Sequence, residues 1–254
     1  MLILLVALSA IAFPAHLNAV DITVLYNNVP HAPDCVCQWG FACLIRGTEE
    51  TILFDTGGDG RVLLQNMERL AVDPGEIDCV VLSHSHGDHT GGITALLPHL
   101  NPVRWYIPAD FAARFRRNLE RAGHAVIQVT EPIEVCPAVF STGELGSGIK
   151  EQSLIVETEV GLIVITGCAH PGIVHITATA RKLRDQKIHL ILGGFHLGSY
   201  SDAQLAGIVE QLQALRVEKV APSHCSGAKA IRLFADTWKE DCLSSGCGAR
   251  ITVP

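Results

Sequence analysis

One short stretch, residues 83–92, constrains this chain more than any other part of its sequence. Three histidines and one aspartate fall within six consecutive positions there: His84, His86, Asp88 and His89. The stretch follows an apolar run that we interpret as the end of a buried strand. Because side chains alternate along extended backbone, His84 and His86 project to the same side and can reach one ion. We expect Asp88 and His89 to lie on the turn into a helix, where they can serve a second ion.

An alternative reading is that these side chains are ordinary hydrogen-bonded structural residues. Four ligand-type groups in six positions at a strand end would be costly to pack without an ion, because buried polar groups need partners. The pattern therefore predicts a two-metal hydrolytic centre.

Three later histidines also follow apolar segments that we interpret as strands. His170, His196 and His224 each stand three or four residues beyond such a segment. In α/β proteins, strand ends on one edge are where functional groups gather. We therefore expect all three histidines to converge on the first motif.

The motif His84-x-His86-x-Asp88-His89 resembles the signature of the metallo-β-lactamase fold superfamily, whose members are mostly metal-dependent hydrolases. The likeness covers nearly everything from residue 21 onward and extends to one branch, the group named after 7,8-dihydropterin-6-methyl-4-(β-D-ribofuranosyl)aminobenzene 5′-phosphate synthase. The segments that carry it are Trp39-Gly40-Phe41, Phe54-Asp55-Thr56-Gly57, Glu151-Gln152, Thr166-Gly167-Cys168-Ala169-His170, Gly193-Gly194-Phe195-His196-Leu197 and His224-Cys225. The resemblance implies an α/β fold, a four-layer αβ/βα sandwich. Alternating strands and helices alone would leave a doubly wound sheet open.

The predicted ligand set has three members for each ion: His84, His86 and His170 for the first, and Asp88, His89 and His224 for the second. The resemblance carries over the first motif directly and His224 as the late histidine. At His170 the chain departs from the family pattern, because the usual third histidine precedes the strand at residues 161–166. Cys168 takes the place of the usual bridging aspartate.

Three further residues have open roles. Cys168 and His170 share a face in extended chain, so the Cys168 thiolate would bridge or cap the ions; the alternative is an inert buried thiol. His196 is a reserve ligand or an acid facing the substrate, or it only packs at a strand end. From the resemblance we expect Asp55 to orient a ligand from beneath the site, with a turn carboxylate that caps backbone amides as the alternative.

Such a centre implies a metal-dependent hydrolase that attacks a phosphoester, carboxylic ester or lactone bond of a small molecule. Two divalent ions would activate water, and nitrogen and carboxylate ligands favour zinc, with iron or manganese as alternatives. Asp88 could steer that water, and His196 or His224 could protonate the leaving group. Two other classes stay open: an iron-dependent redox enzyme on the same fold, and a protein that binds metal without catalysis.

Composition favours one domain, residues 20–254. Of the 254 residues, 48% are hydrophobic, which is ample for a large core, and we find no linker or internal repeat. The formal charge of −7 argues against a nucleic-acid partner held through phosphates. The dense basic group at Arg114, Arg116 and Arg117 is explained by a solvated helix face.

Residues 1–19 differ in kind from the rest. An apolar run followed by small residues predicts a secretory signal, with Ala19 as a possible cleavage position, although no Lys or Arg precedes Arg46. A buried N-terminal strand is the alternative, and the run is too short for a comfortable transmembrane helix. We therefore expect a periplasmic or secreted protein, without stable membrane insertion once the signal is removed, or a cytoplasmic one if the segment is no signal.

The sequence contains nine cysteines, which bear on the question of export because disulfides form outside the cytosol. Two close pairs, Cys35 with Cys37 and Cys242 with Cys247, could oxidise outside the cytosol, and the odd count leaves at least one thiol unpaired. Specificity is expected to lie in loops at residues 27–38 and 135–152.

Overall fold

The computed structural model describes residues 19–254. The strands are, in chain order, β1 (Val20–Asn27), β2 (Phe41–Arg46), β3 (Ile52–Phe54), β4 (Cys79–Val81), β5 (Arg104–Pro108), β6 (Ala125–Val129), β7 (Ile133–Cys136), β8 (Val139–Ser141), β9 (Leu154–Thr158), β10 (Gly161–Thr166), β11 (Ile188–Gly194), β12 (Lys219–Ser223) and β13 (Arg250–Val253). The α-helices are α1 (Gly60–Arg69), α2 (Gly87–Thr90), α3 (Ile93–Leu96), α4 (Ala113–Arg121), α5 (Ile173–Arg184), α6 (Asp202–Ala214) and α7 (Ala228–Trp238).

These strands form two sheets. The first has the order β13-β1-β2-β3-β4-β5-β6, antiparallel from β13 to β3 and parallel from β3 to β6. The second has the order β12-β11-β10-β9-β8-β7, in which β10, β11 and β12 are parallel. Each sheet therefore has one parallel portion, and the parallel strands end side by side on one edge.

Helices cover the outer face of each sheet. The inner faces pack against each other through one apolar core that joins β1 to β4 with β9 to β11. A second core lies between the first sheet and helices α1, α3 and α4, and a third between the second sheet and α5, α6 and α7. Every residue of β10 and β11 is buried, as expected for strands covered on both faces. The αβ/βα sandwich is confirmed, and a single doubly wound sheet is excluded.

Local sequence signals placed several elements correctly. Helical spacing over residues 61–70 corresponds to α1, and the Ser201–Gln204 capping box begins α6. The expected solvated helix is α4, on which Arg114 and Arg117 are exposed. Two histidines outside the ligand motifs differ in burial, since His99 is exposed and His124 is a core residue.

The prediction of a loop over residues 135–152 was wrong in its first part. β8 and the end of β7 lie there as an antiparallel pair at the edge of the second sheet. Such short strands show little alternation, and Pro137 separates them, so the sequence reads as a loop. Neither β6 nor β13 was predicted from the sequence.

Neither of the two close cysteine pairs is joined by a disulfide. All nine cysteines lie among the described residues and are unbonded. Cys247 lies beside Cys35 rather than bonding Cys242, because Cys242 is placed against β12 through a bridge to Val220. Cys43 is fully buried, as expected for a small core residue.

The predicted secretory signal lies outside the described residues, apart from Ala19. Within residues 19–254, no helix has both the length and the apolar character that a membrane span requires. The one-domain organisation stays a prediction.

Candidate metal centre

The first histidine motif leaves β4 and enters α2. His84 is fully buried at the end of this segment, whereas His86 is exposed and lies just before α2. The Nε2 atom of His84 and the Nδ1 atom of His86 are 3.1 Å apart. Asp88 and His89 follow in α2, as predicted, with Asp88 half-buried and His89 buried.

Asp55 lies beneath this motif, at the end of β3, and its carboxylate accepts three hydrogen bonds. Oδ1 accepts from the backbone N–H of Ser83 at 2.7 Å, and Oδ2 accepts from Ser83 Oγ and from His89 Nδ1, each at 2.7 Å. Asp55 is fully buried and has a left-handed backbone with φ of 58°. Asp55 therefore contacts the predicted ligand His89 directly and also caps the backbone amide of Ser83. Each of the two roles proposed from the sequence thus corresponds to a hydrogen bond of Asp55.

The hydrogen bonds of Asp55 determine which ring nitrogens stay free. Because Asp55 accepts from His89 Nδ1, the lone pair of His89 lies on Nε2, which is 3.2 Å from Cys168 Sγ. Ser83 Oγ donates to Asp55 and must therefore accept from His84 Nδ1 at 2.9 Å. This leaves the lone pair of His84 on Nε2 as well.

His224 follows the same rule from the opposite sheet. Its Nδ1 lies 2.8 Å from Asn28 Oδ1, an acceptor, so Nδ1 carries a proton and Nε2 is the ring nitrogen that can bind an ion. That Nε2 is buried without a hydrogen-bond partner, and it lies 3.3 Å from Asp88 Oδ2. Trp39, whose side chain is largely exposed, places its ring 4.7 Å from the His224 ring.

The turn after β10 is held by one buried carboxylate. Glu151 is fully buried, and its Oε1 accepts from the backbone N–H groups of Gly167, Cys168 and Ala169 at 2.9 to 3.1 Å. Its Oε2 accepts from the backbone N–H of His170 at 2.8 Å. Four amides thus converge on one side chain and fix the path of the turn.

Cys168 and His170 reach the centre from this turn, but not for the reason expected. The backbone between them is not extended, because Ala169 is left-handed with φ of 60°. The His170 ring still lies 4.8 Å from that of His84 and 5.0 Å from that of His86. His170 Nε2 is buried without a hydrogen-bond partner.

Donor atoms in this region fall into three groups, in each of which all atoms lie within 4.8 Å of one another: Asp88, His89, Cys168 and His224; His84, Cys168 and His170; and Cys168, His196 and Cys225. The first two contain five of the six residues proposed as ligands from the sequence: Asp88, His89 and His224 in one, and His84 and His170 in the other. His86 lies beside the second group, against His84. Cys168 belongs to all three groups.

His196 does not join either of the first two groups. It is exposed, it has φ of 53°, and its ring lies 4.4 Å from that of His170. His224, with φ of 50°, is also left-handed. Non-glycine residues rarely adopt this conformation, and such strain often accompanies a functional site.

Protonation follows from burial and from neighbouring charges. Burial, followed by the neighbouring imidazoles, lowers the pKa of His84 far below its usual value and that of His170 to about 4. Burial alone would raise the pKa of Asp88, but the His224 and His89 imidazoles outweigh it and hold that pKa well below its usual range. Two neutral imidazoles and a carboxylate are the forms that bind a cation.

Four other side chains of the site have pKa values shifted by their neighbours. Burial disfavours the charged imidazole of His89, but Asp55 outweighs it and raises the pKa of His89. The hydrogen bond between the two thiols lowers the pKa of Cys225 and raises that of Cys168, with burial also raising the latter. Contact with Cys225 raises the pKa of His196.

Sequence reasoning gave no role to three residues at this site. Glu151 and Cys225 belong to segments that carry the family resemblance, but nothing in their spacing indicated a function. Asn28 lies in a loop and is brought to His224 only by folding. Two buried imidazole nitrogens without a hydrogen-bond partner, those of His170 and His224, lie beside a carboxylate and a thiol, and this donor set fits divalent ions of the zinc class.

Comparisons with known proteins find similar sequences. A family model described as the metallo-beta-lactamase superfamily matches residues 40–224. A protein of Methanocaldococcus jannaschii named 7,8-dihydropterin-6-methyl-4-(beta-D-ribofuranosyl)-aminobenzene-5′-phosphate synthase is 28% identical over 253 residues, covering 80% of this chain and 86% of the relative.

The fold of this chain is also similar to those of solved structures. The crystal structure of a metal-dependent hydrolase of the beta-lactamase superfamily is 26% identical and superposes with a TM-score of 0.77, covering 91% of this chain and 98% of the other. The metallo-beta-lactamase fold protein YhfI from Bacillus subtilis, at 14% identity, has a TM-score of 0.66 and covers 92% and 100% of the two chains, a likeness of fold alone.

Proposed function

The chain belongs to the metallo-β-lactamase superfamily, and from this premise we propose that it is a metal-dependent hydrolase with a dinuclear centre. His84, His86 and His170 would hold one divalent ion, and Asp88, His89 and His224 the other, both ions being zinc with iron or manganese as alternatives: this is the ligand division expected from the sequence. The bond broken is a phosphoester, carboxylic ester or lactone bond of a small molecule.

One observation carries the proposal. In His84, His89 and His224, Nδ1 is bound to a protein oxygen, and Nε2 is the nitrogen left to face the centre. Metal-binding histidines typically have this arrangement, because the outer hydrogen bond fixes the tautomer and the ring. A purely structural imidazole would place its second nitrogen in a well-formed hydrogen bond as well, yet His224 Nε2 is buried outside such a bond and lies 3.3 Å from Asp88 Oδ2, the other member of its proposed ligand group.

Chemistry at the centre divides between the ions and the side chains. When bound, divalent ions of this class lower the pKa of a water and polarise a phosphoryl or carbonyl oxygen. Asp88 is a carboxylate at neutral pH and lies beside His224, so it can orient the attacking water. His196 is exposed, and its raised pKa allows it to hold a proton for the leaving group.

The substrate proposal is limited to a class of small molecules. The Methanocaldococcus relative is named for a phosphate-bearing product, and this likeness supports phosphate-bearing compounds among the candidates. The net charge of −7 supports a small molecule rather than a nucleic acid as the partner. Two alternatives, an iron-dependent redox enzyme and a metal-binding protein without catalysis, are decided by the same experiment.

That experiment measures the metal content of the purified protein and its hydrolysis of phosphodiesters, lactones and β-lactams. We expect two ions per chain and hydrolysis of at least one class, with His86→Ala and Asp88→Ala abolishing turnover while the fold is kept. His175→Gln, an exposed histidine on α5, and Asp73→Asn, which keeps a helix cap, are matched controls. Unchanged turnover in either ligand variant would contradict the assignment, and bound iron with redox activity would favour the first alternative.

We also propose export, with a mature chain that begins near Ala19 or Val20. The apolar start of the sequence supports this. Mass spectrometry of the protein from its native source tests it, since an intact Met1 on cytosolic protein would refute the proposal.

A further inference from the structure

Cys225 and His196 lie next to the proposed dinuclear centre but are not among its six proposed ligands. Cys225 comes directly after His224, and its Sγ lies 3.5 Å from the carbonyl oxygen of Cys168. The thiol is buried, whereas His196 is exposed to solvent. Two sulfurs and one imidazole thus meet at the end of the parallel strands β10, β11 and β12.

The three donor atoms are close enough for a common ion. Cys168 Sγ, Cys225 Sγ and a ring nitrogen of His196 all lie within 4.8 Å of one another. Zinc binds thiolate at about 2.3 Å and imidazole at about 2.0–2.1 Å, so two of its ligands are at most roughly 4.6 Å apart. Small side-chain rotations therefore suffice to bring all three onto one ion.

Packing around Cys225 keeps its sulfur in this place. A Cβ atom at position 194 would lie 2.7 Å from Cys225 Sγ and 2.4 Å from the carbonyl oxygen of Gly167. Gly194 is thus the residue that allows the thiol to approach the turn that carries Cys168. An ordinary side chain at position 194 would force the two apart.

We propose that Cys168, His196 and Cys225 form a third metal site, for a thiophilic divalent ion such as zinc. Two thiolates with one imidazole are a soft donor set, and three protein ligands leave the fourth position open on the exposed side of His196. The Cys168 sulfur has lone pairs enough to serve this ion and the dinuclear centre together. A His196 ring that binds this ion cannot also hold a proton for the leaving group, so the acid role proposed for His196 applies only while the third site is empty. Since His196 and Cys225 lie outside the dinuclear ligand set, the dinuclear centre and the third site can fail separately.

A cobalt titration of the full-length protein tests the proposal. The protein is reduced, stripped with a chelator, and titrated anaerobically with Co²⁺ while ion stoichiometry and thiolate-to-cobalt charge-transfer absorption are measured. We expect three equivalents in the unaltered protein. Cys225→Ser and His196→Gln should each lose one equivalent, and Cys225→Ser should also weaken the charge-transfer band. Cys242→Ser and His175→Gln, outside the cluster, should bind as the unaltered protein does.

Each result is decisive. Unchanged stoichiometry and absorption in Cys225→Ser would overturn the third site, and if the unaltered protein then binds two ions, the dinuclear centre stands. One ion that is lost in Cys225→Ser but kept in Asp88→Ala would support the third site and refute the dinuclear centre. A disulfide between Cys168 and Cys225 that persists in the reduced, metal-loaded protein would overturn the third site.

A second measurement covers the case in which the Cys225 variant does not fold. In the unaltered protein, iodoacetamide should modify Cys225 without metal, and the third equivalent of Co²⁺ should protect it. Mass spectrometry of the peptide that contains Cys225 measures this. Equal modification with two and with three equivalents would contradict the proposal.

Discussion

The first sheet supplies its candidate ligands from one continuous segment, whereas the second sheet supplies them from three separate strand ends. In the first sheet, His84 and His89 are both tied to Asp55, directly or through Ser83. In the second sheet, no side chain among residues 19–254 is hydrogen-bonded at all three strand ends. Glu151 holds the turn after β10, and Asn28 holds His224 after β12.

This difference separates two ways of building a site. In the first sheet, local sequence brings the donors together, and one carboxylate sets their tautomers. In the second sheet, the parallel alignment of β10, β11 and β12 brings the donors together, and buried polar contacts then fix each turn. Removing Asp55 should therefore misorient ligands that stay in place, whereas removing Glu151 should displace donors altogether.

The largest effect is expected from Glu151→Gln. The amide keeps an oxygen for three backbone N–H groups but turns its NH₂ toward the N–H of His170, so a charge-assisted hydrogen bond worth about 1.5–3 kcal/mol is lost. Both Cys168 and His170 then shift, and metal affinity should fall by about 100-fold, the upper end for groups that orient ligands. Competition with a chelator measures the affinity.

Glu144→Gln is the matched control, because that side chain accepts a hydrogen bond on the exposed surface. Metal affinity that is equal in the two variants would mean that the turn after β10 keeps its path without Glu151.

Cys168 tests whether the two halves share a ligand, since its sulfur belongs to the donor groups of both. If the thiolate binds metal, Cys168 should be alkylated in the metal-free protein and protected in the loaded one, and Cys168→Ala should weaken binding of one ion of the dinuclear centre besides removing the third-site ion. Alkylation at alkaline pH followed by peptide mass spectrometry measures this. Equal alkylation with and without metal, together with unchanged stoichiometry in Cys168→Ala, would rule out the thiolate role.

A smaller loss is expected from Asp55→Asn. The amide can no longer act as a charged acceptor for His89 Nδ1–H, so the ring can place its proton on Nε2 and lose the lone pair that faces the centre. Because the ligands stay in place, metal affinity should fall by only about 10-fold. Asp73→Asn is the control by the same chelator assay, and a loss as large as that of Glu151→Gln would remove the distinction between the two halves.

The smallest effect concerns pH. The pKa of His170 is lowered to about 4 by burial and by its imidazole neighbours, so the folded protein favours the neutral ring. Above pH 6.5 the ring is neutral in both the folded and the unfolded chain, so the lowered pKa does not change the free energy of unfolding. As pH falls from 6.5 toward 4, His170 is protonated in the unfolded chain before it is protonated in the folded one, and the free energy of unfolding decreases. The metal-free His170→Gln variant should therefore lose less stability over this range than the unaltered protein. Urea unfolding at pH 7 and pH 4.5 measures the difference, and equal losses would show that His170 does not contribute.

Sequence alone determined the first half of the site, because all four ligand candidates lie within six residues and a strand-to-helix turn forces them together. It also determined that His170, His196 and His224 follow strands, since apolar runs ending in polar residues are visible locally. The family resemblance added the sandwich, which alternation of strands and helices left open against a doubly wound sheet.

Tertiary structure decided which of the later donors meet. Asn28 and His224 are 196 positions apart, and their hydrogen bond exists only because β1 and β12 end at the same place. The position of Cys168 depends on the left-handed Ala169 and on the buried Glu151, neither of which shows in a pattern of apolar and polar residues. Local sequence encodes side-chain direction along one strand, but the meeting of separate strand ends depends on sheet order, which is set by the packing of the whole chain.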